Sequence, residues 1–145
     1  LSIAKEFFSL NEALTVFNGD TIRKSNNWSN FKGDIFIETF KAEGSHWSFV
    51  NKIGYIDKIE EKNRISDFCS NGLYYFKKAK YVLNYFEDFK HLFPHTNEMY
   101  ISFFIDHLLN FNLKAYSKLI DNDKIILCGK PDEYEKSLKQ NFKNA

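Results

Sequence analysis

The chain has 145 residues, of which 43% are hydrophobic and 27% are charged, a balance typical of a folded globular domain. Its 20 basic residues nearly cancel its 19 acidic ones, leaving a formal net charge of +1, so no overall field attracts nucleic acid or an anionic membrane. No apolar run approaches the roughly 20 residues that a membrane-spanning helix needs. Neither nucleic acid nor a membrane is therefore an expected partner.

The first part of the chain predicts a buried strand that ends in a carboxylate. Residues 3–8 are expected to form the last turns of an amphipathic helix. The apolar run 13–17 suits a strand that is buried on both faces of a parallel sheet, and Asn18, Gly19 and Asp20 follow it directly. Because α/β sheets bind ligands at the carboxyl ends of their strands, Asp20 is a candidate for ligand chemistry.

The middle of the chain predicts several further strands. After a polar helix or loop at 21–32, runs rich in β-branched and aromatic residues indicate strands at 34–40, 46–50, 55–59 and 73–76. A short turn containing Gly54 is expected to join 46–50 directly to 55–59. The segment 54–76 combines two such strands with an acid–base pair and a glycine, and we predict that it forms the centre of the functional site.

From residue 77 onward the hydrophobic period becomes helical. Two amphipathic helices are predicted, one that ends at Pro94 and one that begins near Glu98. Short strands at 113–119 and 124–128 follow, and residues 129–131 begin a closing helix. Strands that alternate with helices, without a repeat or a linker, predict one α/β domain over residues 1–145 with a mixed, mainly parallel sheet.

Asp20 is the strongest candidate for a metal ligand. Mg2+ takes one or two carboxylates together with waters and phosphate oxygens, and a strand-end Asp with a flexible glycine before it is suitable. The alternative is that Asn18, Gly19 and Asp20 form an ordinary turn with local hydrogen bonds, and the spacing alone favours that alternative.

Glu61 and Lys62 form an acid–base pair with a possible role in ligand binding. A glutamate accepts hydrogen bonds from sugar hydroxyls, and a lysine meets a phosphate as a mobile point charge. The alternative is a solvated charged turn. The only arginines are Arg23 and Arg64, so a phosphate would be met mainly by lysine or by backbone N–H groups.

Gly72 and the residues before the second helix are weaker candidates. A glycine at the start of a strand indicates a bulge or the close approach of a ligand to the backbone. Asn97 and Glu98 stand at the head of a helix, where Asn97 is expected to cap it and Glu98 could also reach a ligand hydroxyl.

Six motifs occur along the chain in an order that resembles one enzyme family. They are NGDTI at 18–22, HWSFV at 46–50, GYIDKIEEKNRISD at 54–67, NGLYYF at 71–76, NEMYI at 97–101 and CGKPDEYEKSL at 128–138. Their succession resembles the sugar-phosphate nucleotidyltransferases, and more narrowly the small bacterial members associated with capsule or other surface-polysaccharide synthesis. The resemblance implies a Rossmann-like three-layer sandwich.

The resemblance also implies a reaction and a set of residue roles. An NTP and a sugar 1-phosphate, or a similar small phosphate, would give an NDP-sugar and pyrophosphate by direct in-line attack, with Mg2+ as cofactor and no covalent intermediate. Asp20 would hold Mg2+, and Lys62 would bind the acceptor phosphate as the second catalytic residue. The residues implied to line the substrate site are Asn18, Glu61, Gly72 and Glu98.

The chain departs from the family pattern in two ways. The glycine-rich G-x-G-x-R/K loop that wraps the nucleotide phosphates near the amino end does not occur, so we expect a carboxy-terminal portion that holds the acceptor half of the site and is inactive alone. Where many relatives carry a second metal-binding Asp this chain has Leu127, and the threonine of their G-T-P segment is replaced by Lys130.

Two other functions remain open. The chain could be a non-catalytic nucleotide- or sugar-binding module that keeps the pocket, or a glycosyltransferase that uses an NDP-sugar. Cys69 and Cys128 have no metal-ligand spacing, which indicates reduced thiols and a cytoplasmic protein. A homo-oligomer is compatible with the sequence, which specifies neither the nucleotide base nor the acceptor.

Overall fold

The structure is a computed structural model that describes residues 7, 9–24, 30–92 and 98–139. Its strands are β1 (Leu14–Phe17), β2 (Thr21–Arg23), β3 (Ile35–Lys41), β4 (Ser48–Val50), β5 (Gly54–Ile56), β6 (Ile59–Glu61), β7 (Phe68–Phe76), β8 (Ala115–Leu119) and β9 (Ile125–Leu127). Its helices are α1 (Lys80–His91), α2 (Ile101–Leu109) and α3 (Pro131–Leu138), with a 3₁₀ turn at Asn122–Lys124. The predicted α/β class is therefore confirmed.

Some of the predicted elements lie outside the residues that the structure describes. The helices within those residues can be compared with the length and hydrophobicity that a membrane-spanning helix needs. The end of a helix at Pro94, the cap at Asn97 and, apart from Phe7, the helix at 3–8 all lie outside the described residues. None of the helices in the described part of the chain is long and apolar enough to cross a membrane.

Seven strands form one mixed sheet that curls strongly. The strand order is β5-β8-β3-β7-β4-β6, and β1 also pairs with β7. β5 and β6 stand at the two ends of this order, yet only Asp57 and Lys58 separate them in the chain. The two edges must therefore lie close together, so that the sheet has the shape of a half-barrel, compatible with the Rossmann-like α/β fold that the resemblance implies.

The sheet is mixed, as predicted, but most of its pairings are antiparallel rather than parallel. Among the described strands of this sheet, β3 pairs with β8 in parallel, and the other five pairings are antiparallel. A parallel pair needs a crossover of a dozen or more residues. The connection from β3 to β8 contains α1 and α2 and meets this need, whereas the short connections between β4, β5 and β6 do not.

The strand β1 also differs from its prediction. The apolar run 13–17 suggests burial on both faces, but within this strand only Leu14 is buried and Thr15 is exposed. The strand pairs with β7 alone among the described residues. An apolar run is thus compatible with an edge strand, because sequence period alone does not reveal how many neighbours a strand has.

The strand predicted at 55–59, joined to 46–50 by a short turn, is not one continuous strand. The chain divides at Asp57 into β5 and β6, and β4 pairs with β6 while β5 crosses to the far edge and pairs with β8. Two local contacts explain the division. The hydroxyl of Ser117 on β8 donates to the carbonyl of Lys52 at 2.7 Å, and Asp57 accepts hydrogen bonds from Asn51 and Lys52 at 2.6 Å each.

The hydrophobic core lies between one face of the sheet and helices α1 and α2. Val82 and Phe89 of α1 are buried, as are Phe104, Ile105 and Leu108 of α2, and these confirm the two predicted apolar stripes. Each such side chain contributes about 1.5–3 kcal/mol when it is fully withdrawn from water. The core therefore supports the sheet from one side and leaves its other surfaces to carry the site.

A bulge in β7 divides the sheet into two branches. Its pairing with β3 shifts from Ile37 opposite Tyr74 to Thr39 opposite Ser70, so residues 71–73 lie opposite the single residue Glu38. On its other edge, β7 pairs with β1 on one side of this bulge and with β4 on the other. The bulge predicted at Gly72 is confirmed, and it creates a fork between β1 and β4.

A small second sheet lies beside this fork. β2 and β9 pair antiparallel, with Thr21 opposite Leu127 and Arg23 opposite Ile125. The sequence predicts a polar helix or loop at 21–32, so the strand β2 is a correction: its polar residues reflect partial exposure rather than absence of regular structure. This sheet leads directly into α3.

Candidate active site

A cleft opens at the fork in the sheet. Its volume is about 470 Å³, which lies within the range of small-molecule sites. Its lining comes from the residues after β1, from β4, β6 and the bulge of β7, and from the starts of α2 and α3. The cleft is therefore a concave surface formed by the fork of the curled main sheet together with the second sheet.

Four of the six predicted site residues line this cleft. They are Asn18, Asp20, Glu61 and Gly72. The antiparallel pairing of β1 with β7 brings Asn18 beside Gly72, and the pairing of β4 with β6 brings Glu61 to the same opening. Residues that are distant in sequence are thus gathered as the predicted site requires.

The other two predicted residues lie at the rim of the cleft. The ammonium group of Lys62 contacts the hydroxyl of Tyr100, lies 4.3 Å from the centre of that ring and is 3.6 Å from the Glu98 carboxylate. Tyr100 lines the cleft, whereas Lys62 and Glu98 are not among the lining residues. Tyr100 therefore links both residues to the opening.

Gly72 is required by the close approach of Asn18. The backbone N–H of Asn18 donates to the carbonyl of Gly72 at 3.1 Å. A Cβ atom at position 72 would lie 2.4 Å from Cγ of Asn18, and the φ angle of Gly72 is +88°, a value that side-chain-bearing residues rarely adopt. In this structure the atom that approaches the glycine backbone belongs to Asn18.

Glu61 is held by two serine hydroxyls. Ser102, on the first turn of α2, donates to Oε2 of Glu61 at 2.6 Å, and Ser48 donates to the same oxygen. Hydrogen bonds to an ionised acceptor are among the stronger ones in proteins. We call Ser48, Glu61, Tyr74 and Ser102 the β6 cluster.

Tyr74 supports this cluster from within the core. Its hydroxyl hydrogen-bonds with Ser48 and Ser70, and burial raises its pKa above the ordinary value of 10.0, so it keeps its proton at neutral pH. The sequence resemblance implies that the strand of Gly72, Tyr74 and Phe76 lines the sugar pocket, but it assigns no role to Ser48 or Ser102. Alternation along β4 could have indicated Ser48, but Ser102 follows only from the packing of α2 on β6.

A second group of polar residues gathers where β9 passes into α3. Asp20 accepts a backbone hydrogen bond from Cys128 at 2.8 Å, which places its side chain beside Gly129. A Cβ atom on Gly129 would lie 2.9 Å from Oδ2 of Asp20 and 3.8 Å from Oε2 of Glu133. The absence of that atom therefore lets the two carboxylates share one opening.

Lys130 completes this second group together with a histidine. Its backbone N–H donates to Glu133 at 3.2 Å, and its ammonium group lies 3.3 Å from Nε2 of His46. We call Asp20, His46, Gly129, Lys130 and Glu133 the α3 cluster; all of them line the cleft. Of these, the sequence singles out Asp20 as a ligand and Lys130 as a departure from the family pattern.

A buried ion pair joins the small sheet to the bulge. Nε and Nη2 of Arg23 donate to the two carboxylate oxygens of Glu38, each at 2.8 Å in the shorter contacts, and Nδ2 of Asn71 donates to Oε2 at 2.8 Å. The side chains of Arg23 and Glu38 are only 11% and 5% exposed. Sequence reasoning treats Arg23 only as one of two arginines and does not predict this structural role.

The acidic residues can be tested against the Mg2+ that the resemblance implies. Among the described residues, no group of three or more His, Cys, Asp and Glu could hold a metal ion. Mg2+ does not need such a group, because it binds through one or two carboxylates and takes the remaining oxygens from water and substrate phosphate. The space that Gly129 leaves at Asp20 is compatible with this mode of binding.

Comparison with known proteins gives structural matches only: no protein-family model and no curated protein matches the chain. Among solved structures, the chain is similar to the nucleoside-diphosphate-sugar pyrophosphorylase from Vibrio cholerae RC9, with a TM-score of 0.82 and 31% sequence identity. The match covers 95% of this chain and 60% of that protein.

Two more distant structures share the fold. One, assigned as a glucose-1-phosphate thymidylyltransferase from Bacillus anthracis and solved with sucrose, has a TM-score of 0.71 and 18% identity over 94% of this chain and 56% of its own. The other, the inositol-1-phosphate CTP transferase from T. maritima, has a TM-score of 0.67 and 13% identity over 90% of this chain and 54% of its own. The resemblance to the sugar-phosphate nucleotidyltransferases is confirmed at the level of the fold, and the chain spans somewhat more than half the length of these proteins.

Proposed function

We propose that this chain, which has the fold of the sugar-phosphate nucleotidyltransferases, carries the acceptor half of their active site. The reaction would join an NTP to a sugar 1-phosphate or a similar small phosphate, giving an NDP-sugar and pyrophosphate. The observation that carries the proposal is the gathering of Asn18, Asp20, Glu61 and Gly72 around one cleft of about 470 Å³. Surface-polysaccharide synthesis in the cytoplasm is the setting that the sequence resemblance favours.

Glu61 is proposed to recognise the sugar. Its Oε2 atom is occupied by Ser48 and Ser102, and a carboxylate has further lone pairs with which to accept bonds from ligand hydroxyls. Asn18 and the backbone at Gly72 would complete the sugar contacts, because both border the same opening. A carboxylate that is already oriented binds without a further loss of side-chain freedom.

Lys62 and Glu98 are proposed to act at the rim. The Lys62 side chain is 52% exposed and bends toward Tyr100 and Glu98, so it could swing to an acceptor phosphate when Glu98 engages a ligand hydroxyl. Both contacts are exposed and contribute little to stability. The movement would therefore cost little.

Asp20 is proposed to hold Mg2+ together with phosphate oxygens of the substrates. When bound, the ion would neutralise charge that develops on the transferring phosphoryl group. The chain's own residues would fix the acceptor in line with the nucleotide, so that the gain comes from orientation rather than from a protein nucleophile. The nucleotide phosphates would be held by the part of the relatives' length that this chain does not span.

The experiment is a pyrophosphate-release assay with Mg2+, the four NTPs and a panel of sugar 1-phosphates. It is run on this chain alone and on the chain extended by any residues encoded before Leu1. We expect release from the extended protein and none from the chain alone. No release from the extended protein with any pair of substrates would refute the proposal, and release of an NDP from an NDP-sugar would support a glycosyltransferase instead.

The variant Asp20→Asn separates an enzyme from a binding module. In an enzyme it should lower turnover at least 100-fold, because an amide cannot replace the charge that holds the metal. A binding module should keep most of its ligand affinity and show no turnover at all. Asp123→Asn is the matched control, since this carboxylate is 72% exposed in the turn before β9 and does not line the cleft.

A further inference from the structure

Lys130 occupies a position that is unfavourable for a lysine. It is the N-cap of α3, where Ser, Thr, Asp and Asn stabilise a helix by accepting a hydrogen bond, and where the positive end of the helix dipole opposes a cation. The family pattern has threonine at this position. A residue that costs local stability at the edge of a cleft is more readily explained by ligand binding than by folding.

The ammonium group of Lys130 lacks a carboxylate partner. Among the described residues its polar contact is Nε2 of His46 at 3.3 Å, and no carboxylate lies within the ion-pair distance of 4.0 Å. The ammonium can donate this bond to Nε2 in the tautomer of His46 that carries its proton on Nδ1. An ammonium carries three protons, so two remain for a ligand.

His46 is itself held in place. Its ring packs against Trp47 with the ring centres 4.5 Å apart, and a Cβ atom on Gly44 would lie 3.1 Å from Nδ1. Gly44 has a φ angle of +83°, which any other residue would adopt only with strain. The loop before β4 is therefore shaped to present the imidazole toward Lys130.

Lys130 is a basic residue in a cleft whose other charged lining residues are acidic. Three carboxylates line it, those of Asp20, Glu61 and Glu133, and Lys130 is the only lysine or arginine among the described lining residues. Lys62 lies outside this lining, and its ammonium already contacts Tyr100 and Glu98. A dianionic group inside the cleft would thus find its cationic contact at Lys130.

We propose that Lys130 binds the phosphate monoester of the ligand and that His46 is the residue that positions its ammonium group. The inference rests on the proposed function for the identity of the ligand as a sugar phosphate, and it adds a phosphate contact at the start of α3 to the one proposed for Lys62. Binding gives the unpartnered ammonium an anionic partner and leaves the sugar to the β6 cluster.

The test measures binding of inorganic phosphate and of glucose 1-phosphate to this chain by titration calorimetry, with unphosphorylated glucose as a reference. The variant is Lys130→Thr, which restores a favourable N-cap and should leave Tm unchanged or raise it. We expect at least a tenfold rise in Kd for both phosphates and no change for glucose. His46→Gln should raise the phosphate Kd about threefold without lowering Tm, because the ammonium loses its orientation.

Two lysine controls make the result specific. Lys136→Met removes an exposed lysine from the same helix, outside the cleft, and should change the phosphate Kd less than twofold. Lys62→Met should change it less than Lys130→Thr does. The inference is overturned if Lys130→Thr binds phosphate as the unaltered chain does, if Lys62→Met alone abolishes binding, or if the unaltered chain shows no saturable binding below about 20 mM phosphate.

Different experimental outcomes would refute the phosphate site at Lys130 and the proposed pyrophosphorylase activity. If the extended protein releases no pyrophosphate but phosphate binding depends on Lys130, the activity is refuted and the site stands. If pyrophosphate is released and Lys130→Thr leaves KM for the sugar phosphate unchanged, the site is refuted and the activity stands.

Discussion

The β6 cluster and the α3 cluster line the same cleft but are held in different ways. In the β6 cluster, Glu61 receives two hydroxyl hydrogen bonds, and the buried Tyr74 lies behind it. In the α3 cluster, Asp20 and Lys130 are exposed, and the ammonium of Lys130 contacts the imidazole of His46. One cluster is satisfied within the protein, whereas the other carries charges whose partners would arrive with a ligand.

The difference follows from what lies beneath each cluster. The β6 cluster is supported by α2 and the large core, and Ser102 is fully buried at the start of that helix. The α3 cluster is carried by the two-stranded sheet of β2 and β9, which is joined to the main sheet by the pair of Arg23 and Glu38 and by the packing of Ile125 against Phe40, Phe49 and Cys69. Preorganisation thus comes from the large core on one side, and from a small apolar cluster and one buried ion pair on the other.

The largest expected effect comes from breaking that ion pair. Arg23→Met leaves the Glu38 carboxylate buried with a hydrogen bond from the side-chain amide of Asn71, and loss of one partner of a buried pair costs about 3–5 kcal/mol. Urea denaturation of the chain measures the loss. The matched control is Lys136→Met, which breaks an exposed pair with Asp132 and should cost at most about 0.5 kcal/mol.

A double variant tests the physical reason for this effect. Glu38→Gln in the Arg23→Met background removes the unpaired charge, so it should recover part of the lost stability. If Arg23→Met costs less than about 1 kcal/mol, the ion pair of Arg23 and Glu38 does not hold the small sheet in place.

The second effect concerns the bulge that both clusters border. Gly72→Ala should cost about 2–4 kcal/mol, because it combines a strained positive φ with a Cβ placed 2.4 Å from Asn18. Gly54→Ala also has a positive φ, but its Cβ meets nothing within 4 Å, so it measures the backbone strain alone. Gly19→Ala has neither feature and should be nearly neutral.

The glycine series discriminates between two readings of the bulge. If Gly72→Ala costs no more than Gly54→Ala, Asn18 moves away freely and its contact with Gly72 is loose. A larger loss at Gly72, measured by the same denaturation, means that the end of β1 is fixed against the bulge.

The sequence predicts the β6 side of this comparison better than the α3 side. Glu61 and Gly72 fall within recognisable motifs, and period alone identifies α1, α2 and α3 as helices. The strand β2 is missed because its three residues owe their structure to β9, which lies far away in sequence. Arg23 is missed for the same reason, since its role depends on Glu38 across two sheets.

The topology of the sheet is where sequence reasoning is weakest. An apolar run such as 13–17 indicates a strand but not the direction or number of the neighbouring strands. The strand predicted at 55–59 is divided at Asp57, because β5 pairs with β8, which is distant in sequence, and Ser117 of β8 donates to the carbonyl of Lys52 before it. Such contacts form only in the folded sheet.

The smallest expected effect tests whether the β6 cluster is oriented by its hydroxyls. Ser102→Ala removes one of two bonds to Glu61 and should cost about 1–2 kcal/mol, less than a fully buried charged bond because Glu61 is partly exposed. Ser137→Ala is the control, since this buried serine in α3 bonds the carbonyl of Tyr134 in its own helix, and its loss should cost under about 1 kcal/mol.

In the extended protein, Ser102→Ala should raise KM for the sugar phosphate severalfold while KM for the NTP stays unchanged, because only the sugar contact depends on Glu61. Equal changes in both constants, or none in either, would mean that Glu61 keeps its orientation through Ser48 alone or does not contact the sugar.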